Sequence, residues 1–271
     1  MPVNLILGII LLAGAAAMLM RKPPRAKRKR TQRNRRAASL VVIALLLLAG
    51  PTAKQHLAPS HEPPTSQAKP AGGTTSQQPL AKLAQLNYSN DQEITINNND
   101  PGFTKTELAT NKGGWTRFSD LDSQNRVGVA EAMLNQRLMP HAERERLTWD
   151  PTGWHNKKVH GEWLYNRSHL IGYQLSGENN NPKNLMTGTR SLNSPLMQAH
   201  EDDIAAYLKQ NANHFVRYEV QPVFRGNELL ARGVAMRAQS IGDNTIHFNV
   251  YIFNVEAGVT LNYADGTSHL N

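Results

Sequence analysis

Apolar residues are spread so unevenly along this chain that only its C-terminal part can build a packed core. Residues 1–50 hold two strongly apolar runs, and residues 51–85 hold almost none. The stretch HEPPTSQAKPAGGTTSQQP within residues 51–85 has a linker composition, with too little apolar surface to fold. The 271 residues therefore divide into two apolar segments at 1–50, a disordered linker at 51–85 and one folded domain at 86–271.

The first apolar run spans Leu5 to Met20 and the second Ala37 to Gly50. A membrane-spanning helix needs about 20 apolar residues, whereas a signal-peptide core needs roughly 7–15. Between the runs lies RKPPRAKRKRTQRNRR, with ten Lys or Arg and no acid. Two topologies follow. Both runs insert as a hairpin, with the basic loop held on the cytoplasmic side. Alternatively, translation starts at Met18 or Met20, the basic segment is an n-region, and the second run is a signal sequence or signal anchor. Pro51-Thr52-Ala53 is a poor cleavage site, so a membrane tether is favoured over release. Both topologies place residue 51 onward outside the cytoplasm. The basic loop suits anionic lipid heads as well.

The net charge of +9 belongs to this loop. Without its ten cations the rest of the chain is close to neutral. The charge is thus no evidence that the folded domain binds nucleic acid. The absence of cysteine excludes disulfides, Cys-ligated zinc and thiol catalysis. Any metal must be held by Asp, Glu, Asn, His or water.

Within the folded domain, Glu93 to Ile96 reads as a short strand before the turn-rich Asn97 to Gly102. Residues 127–138 (VGVAEAMLNQRL) read as a helix ended by Pro140. A second helix is expected after Ser194 as N-cap and Pro195 as first helical residue, with Met197, Ile204 and Leu208 on one side. Phe215–Phe224 and Leu229–Ala238 read as strands. In the tail, Ile246, Phe248, Val250 and Ile252 alternate onto one face of another. Helices mixed with an antiparallel tail predict an α+β domain.

The chemistry-bearing stretch runs from Tyr165 to Tyr173 (YNRSHLIGY), through Asn181-Pro182-Lys183-Asn184 and Thr187-Gly188-Thr189-Arg190, to Asn193 and Glu201. Histidine is a natural base for activating water near neutral pH. Mg²⁺ needs only one or two protein oxygens, and a site without cysteine suits Mg²⁺, Mn²⁺ or Ca²⁺ better than Zn²⁺. Arginines clamp phosphate oxygens. Each residue also has a purely structural reading. His169 can be a core histidine, Asn193 a helix cap, Glu201 a solvated helix residue and Asn184 a turn residue.

The combined blocks resemble the DNA/RNA non-specific endonucleases, the ββα-metal nucleases, and most nearly their streptococcal-type secreted and DNA-entry branch. The family hallmark Asp-Arg-Gly-His is matched by Asn166-Arg167-Ser168-His169. Leu-Ile-Gly-Tyr, Asn-Pro-Lys-Asn, Thr-Gly-Thr-Arg, Asp120-Leu-Asp-Ser123 with Arg126, and Phe248-Asn-Val-Tyr251 match as well. The resemblance covers residues 86–265. It implies a ββα-metal core and a metal-dependent, sequence-non-specific endonuclease acting on DNA, and on RNA as a second substrate. Mg²⁺ or Mn²⁺ would be the cofactor, nucleic acid the partner, and no protein partner is evident. His169 matches the general base, Asn193 the direct metal ligand, Glu201 the acid holding metal-bound water and Asn184 a site asparagine. Arg126, Arg167 and Arg190 are weaker candidates for phosphate contact. Eight residues of helix would separate Asn193 and Glu201 by about 12 Å, which favours a water bridge over joint ligation. Asn166 replaces a charged Asp, yet its amide oxygen could still accept a bond from the histidine. Ser168 replaces a Gly and could restrict backbone angles that Gly allows. The competing reading is an inactive surface module that captures DNA for uptake.

Overall fold

The computed structural model describes residues 80–271. Both apolar runs, the basic loop and most of the linker lie outside these residues. Among the described residues, no helix is long and apolar enough to cross a membrane. The chain is already helical at Leu80, six residues before the expected start. This first helix, α1 (Leu80–Gln85), buries Leu83 and Ala84 against Val223, Tyr251 and Phe253. Two apolar side chains on one helical face suffice to dock a segment whose overall composition is that of a linker.

A six-stranded antiparallel sheet organises the domain. Its strands are β1 (Glu93–Thr95), β2 (Trp115–Phe118), β3 (Ala130–Asn135), β8 (Phe215–Val223), β9 (Gly233–Ser240) and β10 (His247–Phe253). Their spatial order is β1-β10-β9-β8-β3-β2. The expected first strand, the strand from Phe215 and the tail strand are all present. The strand placed at Leu229–Ala238 starts later, at Gly233, because the Leu229 and Leu230 N–H groups bond instead to the Tyr263 carbonyl.

Residues 127–138 do not form the expected helix. Their centre is β3, flanked by β2 and β8, and all six of its residues are buried. Ala130, Ala132 and Leu134 face the main core, while Glu131, Met133 and Asn135 face the opposite layer. A strand covered on both faces loses its polar-apolar alternation, so its apolar run imitates a helix.

The two faces of the sheet are built differently. One packs with Ile204, Leu208 and Met197 in an apolar core that includes Val216, Tyr218, Val220, Met236 and Ile252. The other carries Glu131, Arg217, Glu219 and Arg237 side by side. Arg217 bonds to Glu131, and Arg237 makes two 2.8–2.9 Å bonds to Glu219. Phe103 lies under both guanidiniums, and Trp115 under that of Arg217. Buried charges persist because each meets an opposite charge or an aromatic face.

Between β3 and its neighbour β8 the chain makes one long excursion. It contains β4 (Lys158–Val159), β5 (Glu162–Trp163), β6 (Tyr165–His169), the short helix α2 (Tyr173–Ser176), β7 (Leu185–Thr189) and α3 (Gln198–Gln210). The β6–β7 pair is antiparallel, with His169 opposite Leu185. Strand, strand and following helix are the expected ββα unit. Ser194 is extended (φ −146°, ψ 118°), as a helix cap must be. Its hydroxyl, however, donates to the Gln198 side chain at 2.7 Å rather than capping the backbone. After β10, β11 (Val259–Leu261) and β12 (Ser268–Leu270) form a small ribbon over a satellite core with Leu164, Tyr165 and Leu230.

Candidate active site

His169 is the last residue of β6, so the strand delivers its ring to the edge of the ββα unit. It is 7% exposed. Its Nε2 lies 2.6 Å from the Asn179 carbonyl oxygen, which fixes that nitrogen as the N–H donor. The other nitrogen, Nδ1, therefore carries the lone pair, 3.5 Å from the Arg144 guanidinium. Burial lowers the imidazole pKa below 6.5, the nearby Arg144 charge lowers it further, and the Asn179 carbonyl bond partly opposes them.

His169, Arg144, Asn193 and Glu201 line one cavity of 290 Å³, with Gly172, Tyr173 and Gln198 among its other walls. Asn193 enters from the turn before α3, and its side chain has no hydrogen-bond partner among the described residues. Glu201 enters from the first turn of α3 and is 8% exposed. Its Oε1 accepts the Gly172 N–H at 2.7 Å and lies 3.5 Å from the Tyr218 hydroxyl. Burial pushes its carboxyl up to about 8, against the lowering effect of these two donors. Glycine is required at 172, because a β-carbon there would collide with the Glu201 carboxylate.

Asn184 does not line this cavity. It is fully buried, and its side chain closes a double bridge to Ile171, donating to the carbonyl and accepting from the N–H, both at 2.9 Å. It thereby holds the backbone two residues beyond His169. Arg126 is also elsewhere. It bonds to Asp122 at 2.7 Å and to the carbonyls of Gly226 and Glu228, and stacks over Phe224. Arg190 pairs with Glu162 at 3.2 Å and lines a different cavity. Arg167 lies nearer. It pairs with Asp150, donates to the Trp149 carbonyl at 2.7 Å and stacks over Trp154, on the wall of an adjoining cavity.

Both departures from the sequence hallmark find a physical account. Ser168 is fully buried in a regular strand, and its hydroxyl fills the space that Gly188 leaves on β7. Asn166 faces the adjoining cavity and does not bond to His169. The backbone carbonyl of Asn179 orients the ring instead.

That adjoining cavity, of 690 Å³, shares Arg144 and Asn193 with the first and adds Arg146, Trp154, Trp163, Asn166 and Arg167. Arg144 and Arg146 escaped the sequence reading. They lie in a loop without regular structure, where no periodicity marks them. The only signal was two arginines two residues apart, just before Trp149. The loop is fastened over the site by the Tyr173 hydroxyl, which donates to the Ala142 carbonyl at 2.7 Å, and by two bonds between Thr148 and Asn180.

An imidazole, an amide and a buried carboxyl thus surround one cavity, beside a guanidinium-lined groove. The DNA/RNA non-specific endonuclease family model matches residues 106–242, which include four of the six sheet strands and the whole ββα unit. The chain belongs to that family. It is 29% identical over 166 residues to a deoxyribonuclease of Streptococcus dysgalactiae subsp. equisimilis, covering 60% of this chain and 50% of that one. The chain thus spans about half the length of this curated relative. The crystal structure of NucA from Streptococcus agalactiae with magnesium bound superimposes with a TM-score of 0.61 at 28% identity. It covers 72% of this chain and 95% of that one. The Sda1 nuclease structure with bound zinc gives 0.53 at 26% identity, covering 58% and 82%.

Proposed function

We propose that this chain is a metal-dependent, sequence-non-specific endonuclease acting outside the cytoplasm, in which His169 activates the attacking water. The observation that carries this reading is the clamped imidazole. With Nε2–H committed to the Asn179 carbonyl, Nδ1 is the nitrogen left to accept a proton at the cavity wall. The lowered pKa keeps the ring neutral, hence basic, at pH 7.

The donor set fits a hard cation that retains most of its water. Among the described residues no three His, Cys, Asp or Glu cluster as a metal cage. One neutral amide oxygen, Asn193, and one carboxylate, Glu201, suit Mg²⁺ or Mn²⁺, with Asn193 bound directly and Glu201 through water. NucA carries magnesium and Sda1 carries zinc in their solved structures. Such an ion would neutralise charge building on the phosphate and the leaving oxygen. Its positive charge would also favour the ionised form of Glu201, opposing the effect of burial. Arg144 and Arg146 are placed to hold phosphate oxygens, contacts that carry no base sequence information. Asn184 and Gly172 act through position, the first on the backbone after His169, the second on Glu201. Residues 1–50 serve as membrane or signal segments and 86–271 as the nuclease domain, with α1 added to it.

The test is degradation of plasmid DNA and of RNA by the full chain in Mg²⁺ or Mn²⁺, compared with EDTA and with His169→Ala. Cleavage that stops in EDTA and falls by about 10²–10⁴-fold in the variant is expected. Undiminished cleavage by a folded His169→Ala protein would overturn the assignment.

A further inference from the structure

The β4–β5 hairpin is a small projecting finger with no part in the chemistry described so far. Its turn, His160-Gly161, holds both residues at positive φ (51° and 86°), the backbone that suits a tight two-residue hairpin. Val159 points inward to the satellite core and anchors the finger. Trp163 is paired opposite Lys158 and is 54% exposed, in a domain whose other large apolar side chains are mostly buried. The lysine ammonium lies 5.6 Å from the indole centre.

This exposed indole lines the same groove as Asn193, Arg144, Arg146 and Arg167. No acid lines the groove, and among the described residues Arg144 and Arg146 form no ion pair. Leu164 joins the finger directly to β6, so Trp163 is six residues from His169, at most about 20 Å along an extended chain. Guanidiniums and an exposed aromatic face lining one groove are the chemistry that takes a single strand. The cations follow the backbone, and the ring receives a base. In a duplex the bases are stacked inward and cannot reach an indole at a groove wall.

We propose that this groove is a subsite for unpaired nucleic acid, with Trp163 as the platform on which a base stacks a few nucleotides from the scissile phosphate. The inference rests on the nuclease reading and deepens it. The enzyme then prefers single strands, or duplexes with frayed or gapped ends, to intact duplex.

Steady-state cleavage by the full chain is measured on a single-stranded oligonucleotide and on the same sequence as a closed hairpin duplex. Trp163→Ala should raise KM on the single strand roughly 5- to 100-fold, the loss expected for one base stack. It should leave kcat within about twofold and barely change the duplex. Trp163→Phe should recover most of the loss, because a smaller ring still stacks. Binding of the single strand to His169→Ala, followed by fluorescence anisotropy, should weaken in parallel when Trp163→Ala is added. If the parent cleaves both substrates and Trp163→Ala changes neither KM nor binding, the subsite is wrong while the nuclease reading stands. Equal weakening on both substrates also overturns it. If the parent cleaves nothing in Mg²⁺ or Mn²⁺, the nuclease reading itself fails.

Discussion

At Glu201 a carboxyl has been taken out of water with a backbone N–H and a distant phenol for company. Its value rises from 4.5 to about 8, so between those limits the folded protein holds a proton that the unfolded chain has released. Stability without metal must therefore fall as pH rises from about 4.5 to 8. Glu201→Gln keeps an acceptor for the Gly172 N–H and carries no charge. In EDTA at pH 8 it should melt higher than the parent, by about 2–4 °C for each kcal/mol recovered, and the gain should vanish near pH 4.5. Calorimetry across that range reads both. Cleavage should be lost in the same variant. His169 supplies the complementary prediction. Its pKa is lowered, so kcat/KM should rise with pH through a midpoint below 6.5, and a midpoint above that value would contradict the buried ring. The sequence singled out His169, Asn193 and Glu201 through its motif blocks, and the fold brings all three round one cavity. Asn184 and Arg126 stand away from that cavity, their side chains bonded to Ile171 and Asp122. The sequence did not mark Arg144, since residue type does not reveal which loop folds over a cavity.

Among the elements, the ionic layer on the outer face of the sheet is the most consequential for stability. Arg217 is 1% exposed and is held by Glu131 and by two aromatic faces. Arg217→Ala leaves Glu131 to Arg117 alone and should cost about 3–5 kcal/mol, read as a shift of the urea midpoint. Adding Glu131→Gln to Arg217→Met should recover much of that loss, because the buried charge leaves with its partner. This layer also explains what could be read at this scale. In the tail strand Val250 and Ile252 meet the main core, as Ile204 and Leu208 of α3 do, and their spacing showed even though Tyr251 and Phe253 bury the strand's other face. Strand β3 is packed on both sides, and its neutral and charged residues serve different layers, so its period was hidden. The finger at Lys158–Trp163 is too short to have a period at all.

For the molecule as a whole, charge and core are segregated along the chain. Ten cations sit between apolar runs before residue 51, while the described domain brings its own positive surface to one groove through loop arginines. Composition located the first and was blind to the second. The folded part also divides by mechanical support. The strands β3, β8, β9 and β10 have long ladders and a shared apolar core, whereas residues 141–157 have no regular structure. Hydrogen exchange should be slowest in those strands and fast across residues 141–157, with protection there rising when Mg²⁺ and a non-cleavable single strand are added. Uniform exchange over both regions would contradict this division.

The excursion between β3 and β8 leaves and rejoins the sheet at one point, since Asn135 and Phe215 are paired directly opposite each other. The residues that line the two adjoining cavities, from Arg144 to Glu201, are strung between those two adjacent anchors. The excursion also supplies Met197, Ile204 and Leu208 to the core beneath the sheet. In evolutionary terms the domain is a frame and a cassette. The cassette can be lengthened, trimmed or exchanged for that of a relative without re-threading a single strand of the frame.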